Sequence, residues 1–223
     1  VWEQSRHMFD PSSRILSDCY RGKSSADGID KLLSNRLGLV GWAKLEIGEE
    51  GARLPERGMS IDLNSCIRPY ALDRTCKLLK AQGATNALVD LDTDIATVGR
   101  QPDGANWLVG IRHPHGNRTA ITRIKLNDKG YAIRGDFDNP LMFGGERFGR
   151  ALSPIDGRPV PGPLCVAIVA STALEACTAA NIARLKTESA ALKWLNSIGL
   201  QWLAITRELE CLGPLAPEGL QSA

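Results

Sequence analysis

The 223-residue chain lacks several features that would place it in a functional class at once. Its formal net charge is only +2, so no excess of positive charge indicates binding to nucleic acid or to an anionic membrane surface. No apolar run approaches the ~18 residues that a membrane-spanning helix needs. No internal repeat or low-complexity tract is present. We therefore expect a globular protein without a transmembrane segment and without nucleic acid as a partner.

The sequence also lacks the cysteine spacing of common metal and redox motifs. None of the six cysteines form a C-x-x-C pair, which disfavours a zinc knuckle or a thioredoxin-type site. Buried free thiols are the expected state, although an even number also permits disulfides. The chain starts at Val1 without a signal-peptide pattern, so we expect a processed or partial chain.

The hydrophobic pattern predicts an α+β fold with mainly antiparallel sheets flanked by helices. Five stretches read as strands, with "PDG" and "NDKG" as turn sequences between them: residues 86–99, 106–114, 120–128, 131–137 and 146–154. The continuous apolar run "LCVAIVAS" predicts a central strand that is buried on both faces. Near the C-terminus, "LQWLAITR" and "ELECLG" predict a closing hairpin.

Two helices are predicted around this sheet. Pro69 is placed to open one of them at its first turn, and Gly83 is placed to end it. A second, long helix follows the central strand and contains the hexapeptide "ACTAAN" at residues 176–181. Cys177 and Asn181 lie four residues apart and therefore share one face of that helix.

The order of motifs resembles one known family. The segments that carry the resemblance are "FDPSS", "LVGWAKLEI", "MSIDLNSCIRPYALDR", "GATNALVDLDTDIATVG", "PDGANWLVGI", "RALSPIDGRPV" and "STALEACTAAN". In order and spacing they are similar to the motifs of the FAD:protein FMN transferase (ApbE) family over nearly the whole chain. The resemblance implies one flavin-transferase domain over residues 1–223 that lacks the N-terminal third of the family. It also suggests a periplasmic, exported or organellar location.

Members of this family are magnesium-dependent enzymes that move FMN from FAD onto a threonine of a target flavoprotein. The family's metal site takes an Asp, and a Thr four residues later, from the motif A-D-A-x-x-T. The matching residues here are Cys177 and Asn181. Mg²⁺ prefers hard oxygen ligands in octahedral geometry, and a thiol is a poor substitute for a carboxylate. We therefore interpret Cys177 and Asn181 as positions of a lost magnesium site.

The resemblance also places five departures at the flavin pocket: Arg68, Asp92, Arg134, Arg150 and Ser153. Arg134 begins the segment that matches S-G-x-Y, and Arg150 and Ser153 replace the His and Asp of H-I-I-D-P. Asp92 stands in the segment that matches D-L-G-G-D, where glycines allow close approach of a ligand. We expect Arg68, Arg134 and Arg150 to fill the old pocket and to contact acids such as Asp92, Asp136 or Asp156.

Several other residues have two readings. Asp90, Asp92 and Asp94 alternate as if along one strand, which would point all three to one face, as a solvated edge or as a cation site. His113 and His115 resemble metal ligands but fit a solvated loop better. Scaffold residues of the family are kept, and from them we expect Trp42 and Tyr70 to be largely buried.

Three interpretations of the function remain open at this point. The first is a degenerate FAD:protein FMN transferase relative, without catalysis or cofactor, that serves as a binding or structural subunit of a protein complex. The alternative is an active magnesium-dependent FAD:protein FMN transferase with relocated ligands, which would use FAD and Mg²⁺. A pocket adapted to another ligand is a third reading. Flavin-pocket and metal positions diverge together while scaffold motifs persist, which favours the first reading.

Overall fold

The structure, a computed structural model, describes residues 1–21, 26–112, 120–136, 141–143 and 146–217. They form helices and antiparallel strands, which confirms the predicted fold class. The chain groups into two compact units, Val1–Leu63 with Asp138–Pro161, and Asn64–Phe137 with Gly162–Ala223. The single domain over residues 1–223 stays a prediction. Within the described ranges, none of the helices has the length and apolar character required to span a bilayer.

The elements are numbered along the chain. The strands are β1 Glu46–Gly48, β2 Gly51–Arg53, β3 Ala87–Leu91, β4 Asp94–Val98, β5 Trp107–Arg112, β6 Ala120–Leu126, β7 Gly130–Gly135, β8 Leu141–Phe143, β9 Glu146–Phe148, β10 Cys165–Ala170, β11 Gln201–Ile205 and β12 Cys211–Leu212. The α-helices are α1 Ala26–Leu37, α2 Asn64–Ala81, α3 Ala173–Arg184 and α4 Glu188–Ser197, and 3₁₀ helices cover Pro11–Tyr20 and Trp42–Lys44.

The first unit contains α1, both 3₁₀ helices and the hairpins β1–β2 and β8–β9. Its core is made of buried apolar side chains, namely Leu16, Cys19, Tyr20, Ile29, Leu33, Leu141 and Leu152. The Tyr20 hydroxyl donates to the carbonyl of Gly157 at 2.7 Å, so its polar end is satisfied in the core. Gly157 has φ +73°, and a Cβ there would collide with Leu33, so both backbone and space require glycine.

Two family-like motifs meet inside this unit. Asp10 of "FDPSS" caps the first 3₁₀ helix by accepting the N–H of Ser12 at 2.8 Å, and its other oxygen accepts the N–H of Trp42 at 2.9 Å. The Ser12 hydroxyl in turn accepts the N–H of Gly41 at 2.7 Å. "FDPSS" and "GW" therefore form one hydrogen-bonded structure. Trp42 is half-buried, less than expected.

The second unit is built on a six-stranded sheet with the order β12-β11-β10-β7-β4-β3, in which every neighbouring pair is antiparallel. Every residue of β10 is buried, because this strand lies between β7 and β11 and its run is apolar throughout. The β11–β12 hairpin pairs Ile205 with Cys211. The predicted central strand and closing hairpin are both confirmed.

The two faces of this sheet are covered differently, as the alternation along β7 shows. Tyr131 and Ile133 belong to a core cluster shared with the β5–β6 hairpin, which contributes Val109 and Ile124. Ala132, between them in sequence, packs in a separate cluster with α3 and α4. The sheet therefore has a hairpin face and a helix face.

Helix α2 differs from its prediction. It begins at Asn64, five residues before Pro69, so proline lies inside the helix rather than at its first turn. Its buried face is formed by Pro69, Leu72 and Cys76, at helical spacing. Tyr70 points away from that face and is 56% exposed, so the expectation that it is buried was wrong. Gly83, two residues past the last helical residue, has φ +85° and ends the helix as predicted.

Candidate functional site

The candidate site lies on the helix face of the second unit, and it is positioned by the start of α3. Thr172 caps this helix by accepting the N–H of Glu175 at 3.1 Å. The Asp73 carboxylate of α2 accepts the N–H groups of Ala173 at 2.8 Å and Leu174 at 3.0 Å. A carboxylate at a helix N-terminus satisfies free N–H groups and favours the helix dipole. Asp73 of "YALDR" thus fixes where α3 begins.

Cys177 and Asn181 share one face of α3, as predicted. The Asn181 amide donates to Cys177 Sγ at 3.3 Å, an i to i+4 contact along the helix. Cys177 is 1% exposed, so this face of the helix is turned into the protein. The two positions that the family resemblance assigns to metal ligands are therefore adjacent and inward-facing.

Arg134 of β7 reaches into the same place. Its Nη2 donates to Asp94 Oδ1 at 2.7 Å, to Asp94 Oδ2 at 2.9 Å and to Cys177 Sγ at 2.8 Å. Its Nη1 donates to the carbonyl of Ile133 at 2.8 Å. The Asp94 side chain is 1% exposed and that of Arg134 is 18% exposed, so the ion pair is largely shielded from water. We call Ser65, Asp94, Arg134, Cys177 and Asn181 the Arg134 cluster.

Ser65 belongs to the Arg134 cluster because Pro69 leaves its backbone carbonyl free to accept a hydrogen bond. Within a helix the N–H of residue 69 would bond to the carbonyl of residue 65, but Pro69 has no N–H. The carbonyl of Ser65 instead accepts a hydrogen bond from Cys177 Sγ at 3.0 Å. Pro69 and Cys177 are therefore linked through one backbone carbonyl.

Burial decides the protonation of the thiol. It raises the pKa of Cys177 to about 12, although the Arg134 cation acts in the opposite direction. At neutral pH the cluster therefore holds one carboxylate, one guanidinium and a neutral thiol. The thiol is neither an activated nucleophile nor an anionic metal ligand.

These residues do not fit Mg²⁺. The ion requires hard oxygen ligands, and Asp94 is the cluster's one carboxylate, already bound by Arg134 on both oxygens. A divalent ion here would face the guanidinium's positive charge and a neutral sulfur. Across the described ranges, no group of three or more His, Cys, Asp or Glu side chains is arranged to hold a metal.

The three aspartates do not share a face, so that prediction was wrong. A turn at Asp92 and Thr93 separates β3 from β4, and Asp90 pairs across the hairpin with Ile95. Asp92 sits in this turn with φ +67°, a left-handed conformation that Asp tolerates better than most residues. Asp90 and Asp92 are exposed, whereas Asp94 turns into the Arg134 cluster.

The remaining predicted positions behave differently. Arg68 and Arg150 are exposed and form no ion pair with any described residue, so the expected contacts to acids were wrong for them. Water solvates both guanidinium groups, and no partner is needed. The backbone of Ser153 in the first unit accepts the N–H of Gly157 at 2.8 Å. His113 and His115 lie outside the described residues.

A second buried ion pair was missed by sequence reasoning. Asp136 accepts a hydrogen bond from Arg184, and the same guanidinium donates to the carbonyl of Leu164 at 2.7 Å. This pair ties the end of β7 to the end of α3. Asp136 was expected to partner one of the predicted pocket arginines, but it partners Arg184 instead, and Arg134 pairs with Asp94.

Comparison with known proteins supports the resemblance seen in the sequence. The profile of the ApbE family matches residues 1–204. The FAD:protein FMN transferase of Escherichia coli (strain K12) is 29% identical over 118 residues, which are 52% of this chain and 34% of that protein. The enzyme of the same name from Haemophilus influenzae is 28% identical over 65% of this chain and 44% of its own length. The chain thus covers less than half of these relatives.

Solved structures support the fold independently. The ApbE protein of Thermotoga maritima superposes with a TM-score of 0.80 at 20% identity, covering 95% of this chain and 71% of that one. The apo flavinyl transferase ApbE of Pseudomonas stutzeri gives a TM-score of 0.79 at 24% identity, covering 100% of this chain and 72% of that one. At these identities the structures establish the fold alone.

Proposed function

Because the chain belongs to the ApbE family, we propose that it is a relative that keeps the family fold, lacks flavin transfer, and serves as a binding or structural subunit of a protein complex. One observation carries this proposal: the Arg134 guanidinium is bound by Asp94 and Cys177, on the helix face where the resemblance places the magnesium ligands. In this proposal a protein cation takes the place that the resemblance assigns to a metal cation.

The charges in the cluster support this reading. Asp94 and Arg134 compensate each other, so the cluster offers no excess negative charge to attract a divalent ion. Moving Arg134 away would leave a buried carboxylate, a thiol and an amide. One anionic oxygen is too few for tight Mg²⁺ binding, since the ion is usually held by carboxylates together with substrate phosphates.

The β3–β4 turn, which the resemblance assigns to the flavin pocket, also supports the loss of flavin transfer. The resemblance puts a glycine pair in the β3–β4 turn, where a ligand's diphosphate comes close to the backbone. Here the turn carries Asp92, which is exposed and negatively charged. A carboxylate repels a diphosphate, and the side chain occupies space that glycine leaves open.

The scaffold residues, by contrast, keep structural contacts. Asp73 caps α3, and Gly130 allows α3 to approach β7, because a Cβ there would lie 2.1 Å from the backbone of Thr172 and Ala173. Such a fold without its chemistry is suited to binding a partner protein. The family's own partner, a target flavoprotein, is the first candidate for that role.

An active enzyme is the alternative, and Asp94 favours it. This buried carboxylate adjoins the two family ligand positions and offers one hard oxygen donor. The FAD:protein FMN transferase names of the curated relatives also favour transfer activity. In that reading Arg134 would have to leave Asp94 when Mg²⁺ and FAD bind.

A transfer assay separates the two readings. The chain is incubated with FAD, Mg²⁺ and an acceptor flavoprotein domain, and intact mass spectrometry detects the added FMN. The Haemophilus influenzae relative serves as the positive control on the same acceptor. We expect no FMN adduct with this chain and no magnesium-dependent FAD binding in equilibrium dialysis. Transfer by the unmodified chain would establish the enzyme reading instead.

The subunit role is tested separately. The endogenous protein is analysed by size-exclusion chromatography and native electrophoresis at physiological salt. We expect it to migrate above the size of its monomer, with partner proteins present in fixed stoichiometry. Migration as a monomer would remove the subunit role while leaving the loss of transfer unaffected.

A further inference from the structure

Helix α2 is apolar on two opposite sides. Its buried side carries Leu72 and Cys76, which pack into the core of the second unit. The other side carries Ile67, Tyr70 and Leu78, which are 55%, 56% and 60% exposed. These three side chains belong to none of the core clusters of the described residues. A surface helix usually has a polar outer side, so the outer side of α2 is free to cover an apolar partner.

The outer apolar residues lie along one line of the helix. Positions 67, 70, 71, 74 and 78 follow the i, i+3, i+4, i+7, i+11 pattern of a single helical face. We call these residues the α2 stripe; all of them are exposed, and they are Ile67, Tyr70, Ala71, Arg74 and Leu78. The stripe is about 16 Å long, or three helical turns. Amphipathic helices dock on partner proteins with the same spacing of side chains.

The charges beside the stripe have one sign. The exposed charged side chains of α2 are all basic, namely Arg68, Arg74, Lys77 and Lys80. Lys80 pairs with Asp128 at 2.6 Å, whereas Arg74 and Lys77 form no ion pair with any described residue. The one acid of α2, Asp73, accepts N–H groups of α3 instead. The stripe therefore has two uncompensated cations and complements an acidic surface.

This charge pattern distinguishes between possible occupants. A second copy of the chain would bring the same cations against Arg74 and Lys77, and like charges repel. An anionic membrane would attract both cations, but Arg74 lies in the middle of the stripe and would have to approach hydrocarbon without a counter-ion. A carboxylate of a partner protein can pair with Arg74 while apolar side chains beside it pack on the stripe.

We propose that the α2 stripe docks an acidic amphipathic helix of a partner protein. Apolar side chains of that helix pack on Ile67, Tyr70 and Leu78, and its carboxylates pair with Arg74 and Lys77. Aromatic residues and arginine are enriched in protein interfaces, as they are in this stripe. The proposal rests on the proposed subunit role and adds to it the docking surface and the charge of the partner.

A designed peptide tests the stripe directly. It has about 14 residues, which is enough to cover three helical turns. Leucine stands at positions i, i+3, i+7 and i+10, glutamate at the flanking positions and alanine elsewhere, to favour the helix. A second peptide has lysine at every glutamate position. Fluorescence anisotropy measures binding to the full chain, and we expect the acidic peptide to bind at least about tenfold more tightly than the basic one.

Two variants test the contacts. Arg74→Glu with Lys77→Glu reverses the charge of the stripe and should reverse the preference between the peptides. Leu78→Ser removes an apolar contact and should weaken binding of the acidic peptide about fivefold. All three residues are exposed, so the core stays intact, and circular dichroism checks that each variant is folded.

The matched control changes the same amount of charge elsewhere. Arg123 and Lys125 are exposed on β6, which belongs to the hairpin on the other face of the sheet from α2. Arg123→Glu with Lys125→Glu should leave the preference for the acidic peptide unchanged. Equal affinity of the native chain for the two peptides, or an unchanged preference in Arg74→Glu with Lys77→Glu, would overturn the proposal.

The partner protein is tested in the cells that produce the chain. Size-exclusion chromatography compares the native chain with the variant Arg74→Glu, Lys77→Glu. We expect the native chain in an assembly and the variant at the size of its monomer. If both assemble, the stripe is not the docking surface and the subunit role stands. If the native chain is a monomer, the subunit role fails and this proposal fails with it.

Vesicles of phosphatidylserine and phosphatidylcholine test the membrane as occupant. We expect the native chain not to sediment with them at physiological salt. Sedimentation that is lost in Arg74→Glu with Lys77→Glu would assign the α2 stripe to an anionic membrane and overturn the protein partner.

Discussion

The guanidinium of Arg134 donates to both carboxylate oxygens of Asp94, at 2.7 and 2.9 Å, across 40 residues of sequence. The pair joins β7 to the start of β4 beneath α3, with the Asp94 side chain 1% exposed. In a pair buried to this degree, each charge is stabilised by the opposite charge and by hydrogen bonds, not by solvation.

Removing one member of this pair should destabilise the protein strongly. Arg134→Met leaves a buried, unpaired carboxylate, and we expect the free energy of unfolding to fall by about 3–5 kcal/mol. Arg134→Met with Asp94→Leu removes both charges and should recover most of that loss. Urea unfolding measures all three proteins.

The exposed pair Lys80–Asp128 is the matched control, since both side chains are 51% exposed. Lys80→Met should cost less than about 1 kcal/mol. If Arg134→Met costs no more than Lys80→Met, the Arg134 pair does not behave as a buried interaction.

The hydrogen bond from Cys177 to the Ser65 carbonyl should depend on Pro69. Cys177→Ala leaves that carbonyl without its donor, whereas in a Pro69→Ala background residue 69 has an N–H that can take its place. We expect Cys177→Ala to cost about 1 kcal/mol less in the Pro69→Ala background than in the native chain. A double-mutant cycle in urea measures the difference, and additive effects would show that the two positions are not linked.

The sequence predicted this architecture better than it predicted this cluster. β10 and the β11–β12 hairpin were found because a continuous apolar run and a pair of short strands are local patterns. The β3–β4 turn was missed because Asp92 occupies a left-handed position where glycine usually signals a turn. Reading 90–94 as one strand placed Asp94 on a solvent face instead of beside Arg134.

Long-range partners were not predictable for a related reason. A buried arginine needs an acidic partner, so Arg134 and Arg184 each require a carboxylate once they are buried. Hydrophobic periodicity does not predict which carboxylate that is. Sheet order decides it: β4 lies beside β7, so Asp94 reaches Arg134, while Asp136 at the end of β7 meets Arg184 of α3. The helical spacing of Cys177 and Asn181 predicted correctly that they are neighbours on α3, but it did not predict which residues fill the space between them and the sheet.

The free energy of unfolding should fall in alkaline solution because the Cys177 thiol loses its proton more readily in the unfolded chain. Burial raises the pKa of its thiol from 9.0 to about 12. Between these values the unfolded chain has lost a proton that the folded chain keeps, so the stabilisation is complete below pH 9.0 and declines above it. One such group lowers the free energy of unfolding by at most about 1.4 kcal/mol per pH unit.

Cys177→Ser removes this titration, so its alkaline slope should be shallower than that of the native chain. Urea unfolding at intervals from neutral pH to about pH 10.5 measures both slopes. Cys165 is the matched case, because burial raises the pKa of its thiol to about 12 as well. Cys165→Ser should give a similar reduction, and identical slopes in all three proteins would contradict the assignment.

Two tyrosine hydroxyls should respond oppositely to removal. Tyr131→Phe deletes a buried hydroxyl without a partner among the described residues, so we expect the protein to become more stable by about 1 kcal/mol. Tyr20→Phe deletes a hydroxyl that donates to the carbonyl of Gly157, so we expect a loss of about 1 kcal/mol or more. Thermal unfolding measures both. A loss of stability in Tyr131→Phe would contradict this prediction and would show that the hydroxyl has a hydrogen-bond partner in the native protein.

Restoring the family's metal ligands should fail as long as Arg134 is present. In the double variant Cys177→Asp, Asn181→Thr, the guanidinium gains a second carboxylate at the place where Cys177 Sγ now lies, 2.8 Å away. Arg134 is then held more firmly, and the two carboxylates and the guanidinium together carry a single negative charge.

Adding Arg134→Ser removes the competing cation and leaves the new carboxylate at position 177 and that of Asp94 as hard oxygen donors. We expect Mg²⁺ binding by calorimetry only in the triple variant, with at least about a hundredfold gain in affinity, or roughly 2.7 kcal/mol. FMN transfer should still be absent, because Arg68 and Arg150 remain at positions that the family resemblance assigns to the flavin. Equal Mg²⁺ binding by the double and triple variants would show that Arg134 does not take the place of the metal.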